Sequence, residues 1–228
     1  MLKNIEKKSE LTRKHLLKVS LRVFEQSGYE DCTMRGLANE AGVTAPAFYY
    51  YFKSKDEIVS SFYNESLKRH LENAHSLIID GESLTKNLNT VILSRLKEFK
   101  NQRKTLSALT NSAFNKSSSL SPFHPSHKEI RKESINLFED IINKSKVKWP
   151  KKSKRDLAQL IWLYHLLIIF YWLEDQTPRQ KKTMELLDRS LKHISSGLIF
   201  LRLPGAHKSL SPPSLTSNYY IAHGVALN

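Results

Sequence analysis

Thr33, Arg35, Thr44, Tyr49, Tyr50 and Lys55 form the densest grouping in this chain of side chains suited to a single kind of ligand. A guanidinium makes paired hydrogen bonds to the major-groove edge of guanine, whereas hydroxyls and an ammonium reach phosphate oxygens. Ala45, Pro46 and Ala47 lie among them and offer no side-chain hydrogen bond, so apolar contact with thymine methyls is the chemistry left to them. The grouping suits double-stranded DNA, provided that local structure aims it at a groove.

The spacing supplies that structure. Thr33 and Thr44 are N-cap types, and Gly42 between them accepts the positive φ of a sharp turn. Leu37, Ala38 and Ala41 give the first short helix an apolar face, with Ala38 at the near-contact position. Val43, Phe48 and Tyr51 complete a miniature core from the other side. Pro46 falls in the first turn of the second helix, where its missing N–H breaks no bond. Residues 33–52 therefore read as a helix-turn-helix whose second helix offers Thr44, Ala45, Pro46 and Ala47 to base edges, with Tyr49 and Tyr50 one turn on. Arg35 is the expected guanine reader; Thr33, Tyr49 and Lys55 are better placed for phosphates. Tyr51 and Phe52 belong to packing.

Other chemistries find little purchase. Cys32 is the only cysteine, which rules out an internal disulfide and suits a reducing compartment. His124-Pro-Ser-His127 has no carboxylate or thiolate nearby, so no metal is expected. A phosphate-cradling glycine loop, HExxH and a nucleophile elbow are all missing, which argues against an enzyme with an accessory DNA-binding motif. No cofactor is implied. The N-terminus has no apolar signal-peptide core, and a cytoplasmic location is expected.

The positioning elements are helical throughout. Leu16, Val19, Val23 and Phe24 predict a helix over about Glu6–Gln26 that ends at Gly28. Ser54 and Glu57 form a capping box that opens a long helix to about Ile79. One or two helices are expected over 84–110, a loop over 116–125, and a helix over 128–143. Two more are expected over 156–175 and 179–203, followed by a mobile tail rich in Ser and Pro. Only 7 glycines and 8 prolines occur, and four of those prolines follow residue 177, so the middle of the chain has few breaks. The expected fold class is all-α, with domains at 1–53 and 54–203 and a tail at 204–228.

Residues 157–173 are the most apolar stretch, but Gln159 and His165 interrupt them and a basic run precedes them. A helix buried by its own fold and by a partner is the better reading than a membrane span. Met184, Leu187, Leu191, Ile194, Leu198 and Leu201 repeat at helical spacing in the next segment, so these two helices are the expected dimer interface. Phe99, Phe114, Trp162, His165, Tyr171 and Trp172 are candidate walls of an effector pocket, with plain packing as the competing role for each.

The net charge is +14, but residues 1–79 carry only +2 of it. Seven of the remaining cations lie between Lys144 and Arg155, a run that reads either as a solvated turn or as an attractor of anions.

Residues 12–58 resemble the N-terminal domain of the TetR/AcrR family of bacterial regulators. The resemblance runs through Leu16-Leu17, Phe24, Gly28-Tyr29, Thr33, Leu37-Ala38, Ala41-Gly42-Val43, Phe48-Tyr49, Phe52 and Lys55. It implies a homodimer of about nine helices per subunit, usually a repressor released from a palindromic DNA operator by a small-molecule effector bound in the C-terminal domain. It also implies DNA contact at Thr33, Arg35, Thr44, Ala45, Ala47, Tyr49, Tyr50 and Lys55. Ser20 stands where the family usually has alanine, and Ala45 and Ala47 where many members carry polar readers. An interaction protein of the same fold, or an activator, is the alternative that this polar-poor helix leaves open.

Overall fold

A computed structural model describes residues 2–113 and 118–200. Phe114, Leu201 and the tail from residue 204 lie outside the described residues.

Nine α-helices and no strand occur among the described residues: α1 (Leu2–Ser27), α2 (Met34–Glu40), α3 (Ala45–Tyr51), α4 (Lys55–Leu77), α5 (Leu84–Phe99), α6 (Arg103–Ala113), α7 (Lys128–Lys144), α8 (Lys151–Glu174) and α9 (Lys181–Phe200). The caps fall where the residue types demanded. Thr33 Oγ1 accepts from the Gly36 N–H and Thr44 Oγ1 from that of Ala47. Ser54 Oγ accepts from the Glu57 N–H at 3.1 Å, while the Glu57 carboxylate reaches back to the Lys53 N–H at 2.7 Å. The reciprocal bond thus lands one residue outside the usual capping box.

The N-terminal helices close on a small core of Leu16, Phe24, Leu37, Ala38, Phe48 and Phe52, all without solvent exposure. Phe52 carries more of this core than expected, since Val43 and Tyr51 are only half-buried. Ser20 is fully buried and its hydroxyl donates to the Leu16 carbonyl at 2.8 Å, so the polar atom is satisfied within its own helix.

Two differences from the sequence expectation have local causes. The segment over 84–110 divides at a short 3-10 turn, Lys100–Gln102, between α5 and α6. Helix α8 begins at Lys151 rather than near residue 156. Four of its first five residues are Lys or Arg, which oppose the dipole at a helix N-terminus and mask the start.

In the body, α8 packs on α7 and also touches α5, α6 and α9. Ala158, Ile161, Trp162, His165, Ile168, Ile169 and Trp172 recur at helical spacing on its buried face. The opposite face presents Leu160, Leu163, Leu167 and Tyr171, with Leu160 at 62% and Leu167 at 65% exposure. Ser153–Glu174 is long and apolar enough to cross a bilayer by length and composition, yet 44% of its most apolar window is buried inside the fold. The end of α8 is held from a distance. Arg103, at the start of α6, donates from Nη2 to the carbonyls of Trp172, Leu173 and Asp175 at 3.1, 2.9 and 2.6 Å. A guanidinium so placed satisfies carbonyls that a helix end leaves open. Asp175 then accepts from the backbone and hydroxyl of Thr183, which fixes the entry into α9.

Candidate nucleic-acid interface and ligand cavity

Gly42 takes φ +67°, and the Val43 N–H bonds back to the Ala38 carbonyl at 3.0 Å. The turn closes tightly enough to set α3 across α2, and among the described residues the N-terminal tip of α3 is open. Thr44, Pro46, Ala47, Tyr49 and Tyr50 are exposed, Tyr50 at 71%, and Ala45 is half-buried. Phe48 alone on this helix is fully buried and anchors it against the core. Arg35 and Thr33 are exposed as well, and Arg35 makes no ion pair among the described residues. Thr33 and Thr44 each accept a backbone hydrogen bond while keeping a hydroxyl proton to donate, which suits a phosphate oxygen.

Lys55 is placed differently from its companions. Its ammonium donates to the carbonyls of Tyr29 at 2.7 Å and Glu30 at 3.2 Å, and lies 4.4 Å from the centre of the Tyr29 ring. The Tyr29 hydroxyl bonds the Asp56 carboxylate. The turn after α1 is therefore clamped to the start of α4. Arg13 adds a second clamp, donating to Ser61 Oγ at 2.6 Å with its guanidinium over the Phe52 ring.

The body holds a partly open cavity of about 130 Å³ bordered by α4, α5, α6, α7 and α8. Of the pocket candidates, Phe99, Trp162 and His165 line it. Trp172 is buried beneath Arg103, and Tyr171 lies on the exposed face of α8 beside the turn into α9. Sequence reasoning missed Tyr63, Arg95 and Arg131, which also border the cavity. One signal was present. Leu88, Val91, Ile92, Arg95, Leu96 and Phe99 form a single helical stripe, so an arginine stands inside an apolar face. Arg95 is buried there, donating to the Ser66 carbonyl at 2.8 Å and pairing with Glu98 at 3.3 Å.

His165 stacks on His70 with centroids 6.4 Å apart and planes 6° from parallel. Burial pushes His70 down to about 3, with Arg95 adding to the effect. Burial also holds His165 well below the usual histidine range, helped by His70 and Arg95. Both rings are therefore neutral.

The basic run lies far from the reading helix. The Gly81 N–H bonds the Lys144 carbonyl and the Lys146 N–H bonds that of Glu82, so the run sits beside the turn after α4. The reading helix meets the opposite end of α4, about 34 Å away along 23 residues.

Two family models match separate parts of the chain. Residues 16–62 match the bacterial regulatory proteins of the tetR family, and residues 87–200 match the tetracyclin repressor-like C-terminal domain. The chain belongs to the TetR family. It is 32% identical over 87 residues to the HTH-type transcriptional regulator AcrR of Shigella flexneri, covering 37% of this chain and 40% of that protein. It is 29% identical over 82 residues to the uncharacterized HTH-type transcriptional regulator YdgC of Bacillus subtilis, covering 36% of this chain and 42% of that one. The chain thus aligns with about two fifths of the length of these curated relatives. Among solved folds, the putative TetR-family regulator of Syntrophomonas wolfei superposes with TM-score 0.68 at 16% identity, over 83% of this chain and 97% of that one. The transcriptional regulator FadR of Bacillus subtilis, solved in complex with stearoyl-CoA, gives 0.58 at 20% identity, over 76% and 96%. The family is one of bacterial transcriptional regulators rather than enzymes.

Proposed function

We propose that this TetR-family protein is a cytoplasmic, homodimeric repressor that binds a palindromic operator and leaves it when a small molecule occupies the body cavity. The observation that carries the reading is the open tip of α3, where Thr44, Pro46, Ala47 and Tyr50 stand exposed, as does Arg35 on α2. One such helix touches few base pairs, so a two-fold pair is needed for a specific site. The apolar stripe Leu160, Leu163, Leu167 and Tyr171 on α8, continued by Leu186 on α9, supports pairing through the last two long helices. In this reading the domains are 1–53 for DNA and 54–203 for effector and dimer contacts.

The deciding experiment is footprinting on the DNA that flanks the coding region. Protection of one inverted repeat, competed by that repeat and weakened by salt, is the expected result. Binding of equal strength to unrelated DNA, or none, overturns the repressor reading.

A further inference from the structure

We infer that the body cavity takes a monocarboxylate with an apolar body, its carboxylate held at the rim by Arg131. The inference rests on the reading of this cavity as the effector site and names the chemistry of the molecule that would occupy it.

The lining is apolar at depth and polar where solvent reaches it. Phe99, Leu106, Ile169 and Leu173, from α5, α6 and the second half of α8, border the cavity and are buried. Each residue that α7 contributes, Ile130, Arg131 and Ser134, is half-buried, as is Pro122 in the loop before it. Solvent therefore reaches the lining on the α7 side, and Arg131 is the charged side chain there. A cavity of roughly 150 Å³ holds benzene. At about 130 Å³ and partly open, this one accepts a short alkyl chain or a single ring whose polar end stays at the rim.

The charge of the lining is positive and incompletely balanced. No carboxylate borders the cavity. Arg95 is paired with Glu98 at 3.3 Å. Burial holds His127 below the usual histidine range, so it adds no charge at neutral pH. Arg131 has no ion pair among the described residues. Its Nη1 donates to the Pro122 carbonyl at 2.8 Å and to that of His124 at 3.5 Å, which latches the side chain to the loop.

That latch uses one nitrogen. Nε and Nη2 of Arg131 have no acceptor among the described residues. Together they form the side edge of the guanidinium, whose two parallel N–H groups match the two oxygens of a carboxylate. A carboxylate can thus bind without displacing the loop. One unbalanced positive charge calls for one negative charge. A phosphate dianion would bring a second that lacks a partner, and an ammonium would meet a like charge.

The test is calorimetric titration of the full-length protein, without DNA, with hexanoate, 1-hexanol, hexylamine, hexyl phosphate and acetate. Trp162 borders the cavity, so its fluorescence reports the same event. Hexanoate is expected to bind at least about tenfold more tightly than 1-hexanol, through the charge-assisted pair, and than acetate, through the buried chain. Hexylamine and hexyl phosphate are expected to bind more weakly than hexanoate. Arg131→Gln should lower hexanoate affinity at least about tenfold and leave 1-hexanol affinity unchanged, whereas a merely structural arginine would move both alike. No binding of hexanoate, equal affinity for 1-hexanol or acetate, a tighter complex with the amine or the phosphate, or a parallel change of both probes in Arg131→Gln overturns the inference. The five-probe comparison uses the unaltered protein, so it decides even where that variant fails to fold. Its failure is distinguishable from failure of the repressor reading. Hexanoate bound without any effect on DNA counts against ligand response, whereas absent hexanoate binding beside intact footprinting counts against this ligand class alone.

Discussion

The hydroxyl of Thr105 on α6 donates to the carboxylate of Glu25 on α1 at 3.1 Å, joining the wall of the cavity to the DNA-reading head. Leu106, the next residue, faces the cavity. Helix α6 is thus in contact with α1 on one side and with the ligand space on the other. Thr105→Val is expected to cost about 1 kcal/mol of stability, the value of an ordinary hydrogen bond with a solvated partner. Urea unfolding measures that loss. The same variant should shrink the ratio of operator affinities measured without and with effector; an unchanged ratio would show that coupling runs elsewhere.

Arg35 is exposed on α2 and makes no ion pair among the described residues. Arg35→Ala should reduce discrimination at one base pair in each half-site by about 1–3 kcal/mol. Binding to a set of singly substituted operators checks this. Unaltered preference at every position removes Arg35 as a base reader.

Lys55 has two tasks that a double measurement separates. Its ammonium holds the Tyr29 and Glu30 carbonyls, so Lys55→Met should lower stability by about 1–2 kcal/mol through the loss of charge-assisted bonds. If it also meets a phosphate, affinity should fall for all sequences alike and the slope of log K against log salt should flatten by about one. A stability loss with an unchanged slope assigns Lys55 to the clamp alone.

The stacked histidines set a pH dependence. Both have folded values below that of the unfolded chain, so the stability they contribute is complete above about pH 6.5 and is lost as pH falls, toward about 3 for His70. Each histidine kept neutral costs about 1.4 kcal/mol per pH unit in that window. Arg95 opposes protonation of the pair, while Glu98, 3.4 Å from His70 Nδ1, favours it. Urea unfolding at about pH 7 and about pH 5.5 should show the loss, and His70→Gln should reduce the slope by roughly one proton. A slope unaffected by that change rules out His70 as its source.

The head was legible in the sequence because its determinants are local. Thr33, Gly42, Thr44 and Ser54 each act within four residues of themselves, through a cap or a turn. The body was legible only as a set of helices. Arg103 caps a helix end some seventy residues away, and nothing in its neighbours announces this. Tyr63, Arg95, Arg131 and His165 come from four different helices, and their meeting depends on packing rather than on any periodicity. Arg95 is the instructive case: a charged residue inside an apolar stripe marks a buried polar contact, even though its partners remain unnamed until the helices are assembled.

Helix α4 contains neither glycine nor proline along Lys55–Leu77, and it starts four residues after the last turn of α3. It therefore acts as a stiff lever without an internal hinge. A tilt of about 6° about its distal end would carry the tip by about 3.5 Å, close to the rise of one base step. No bend inside α4 would absorb such a tilt before it reached the DNA-reading head.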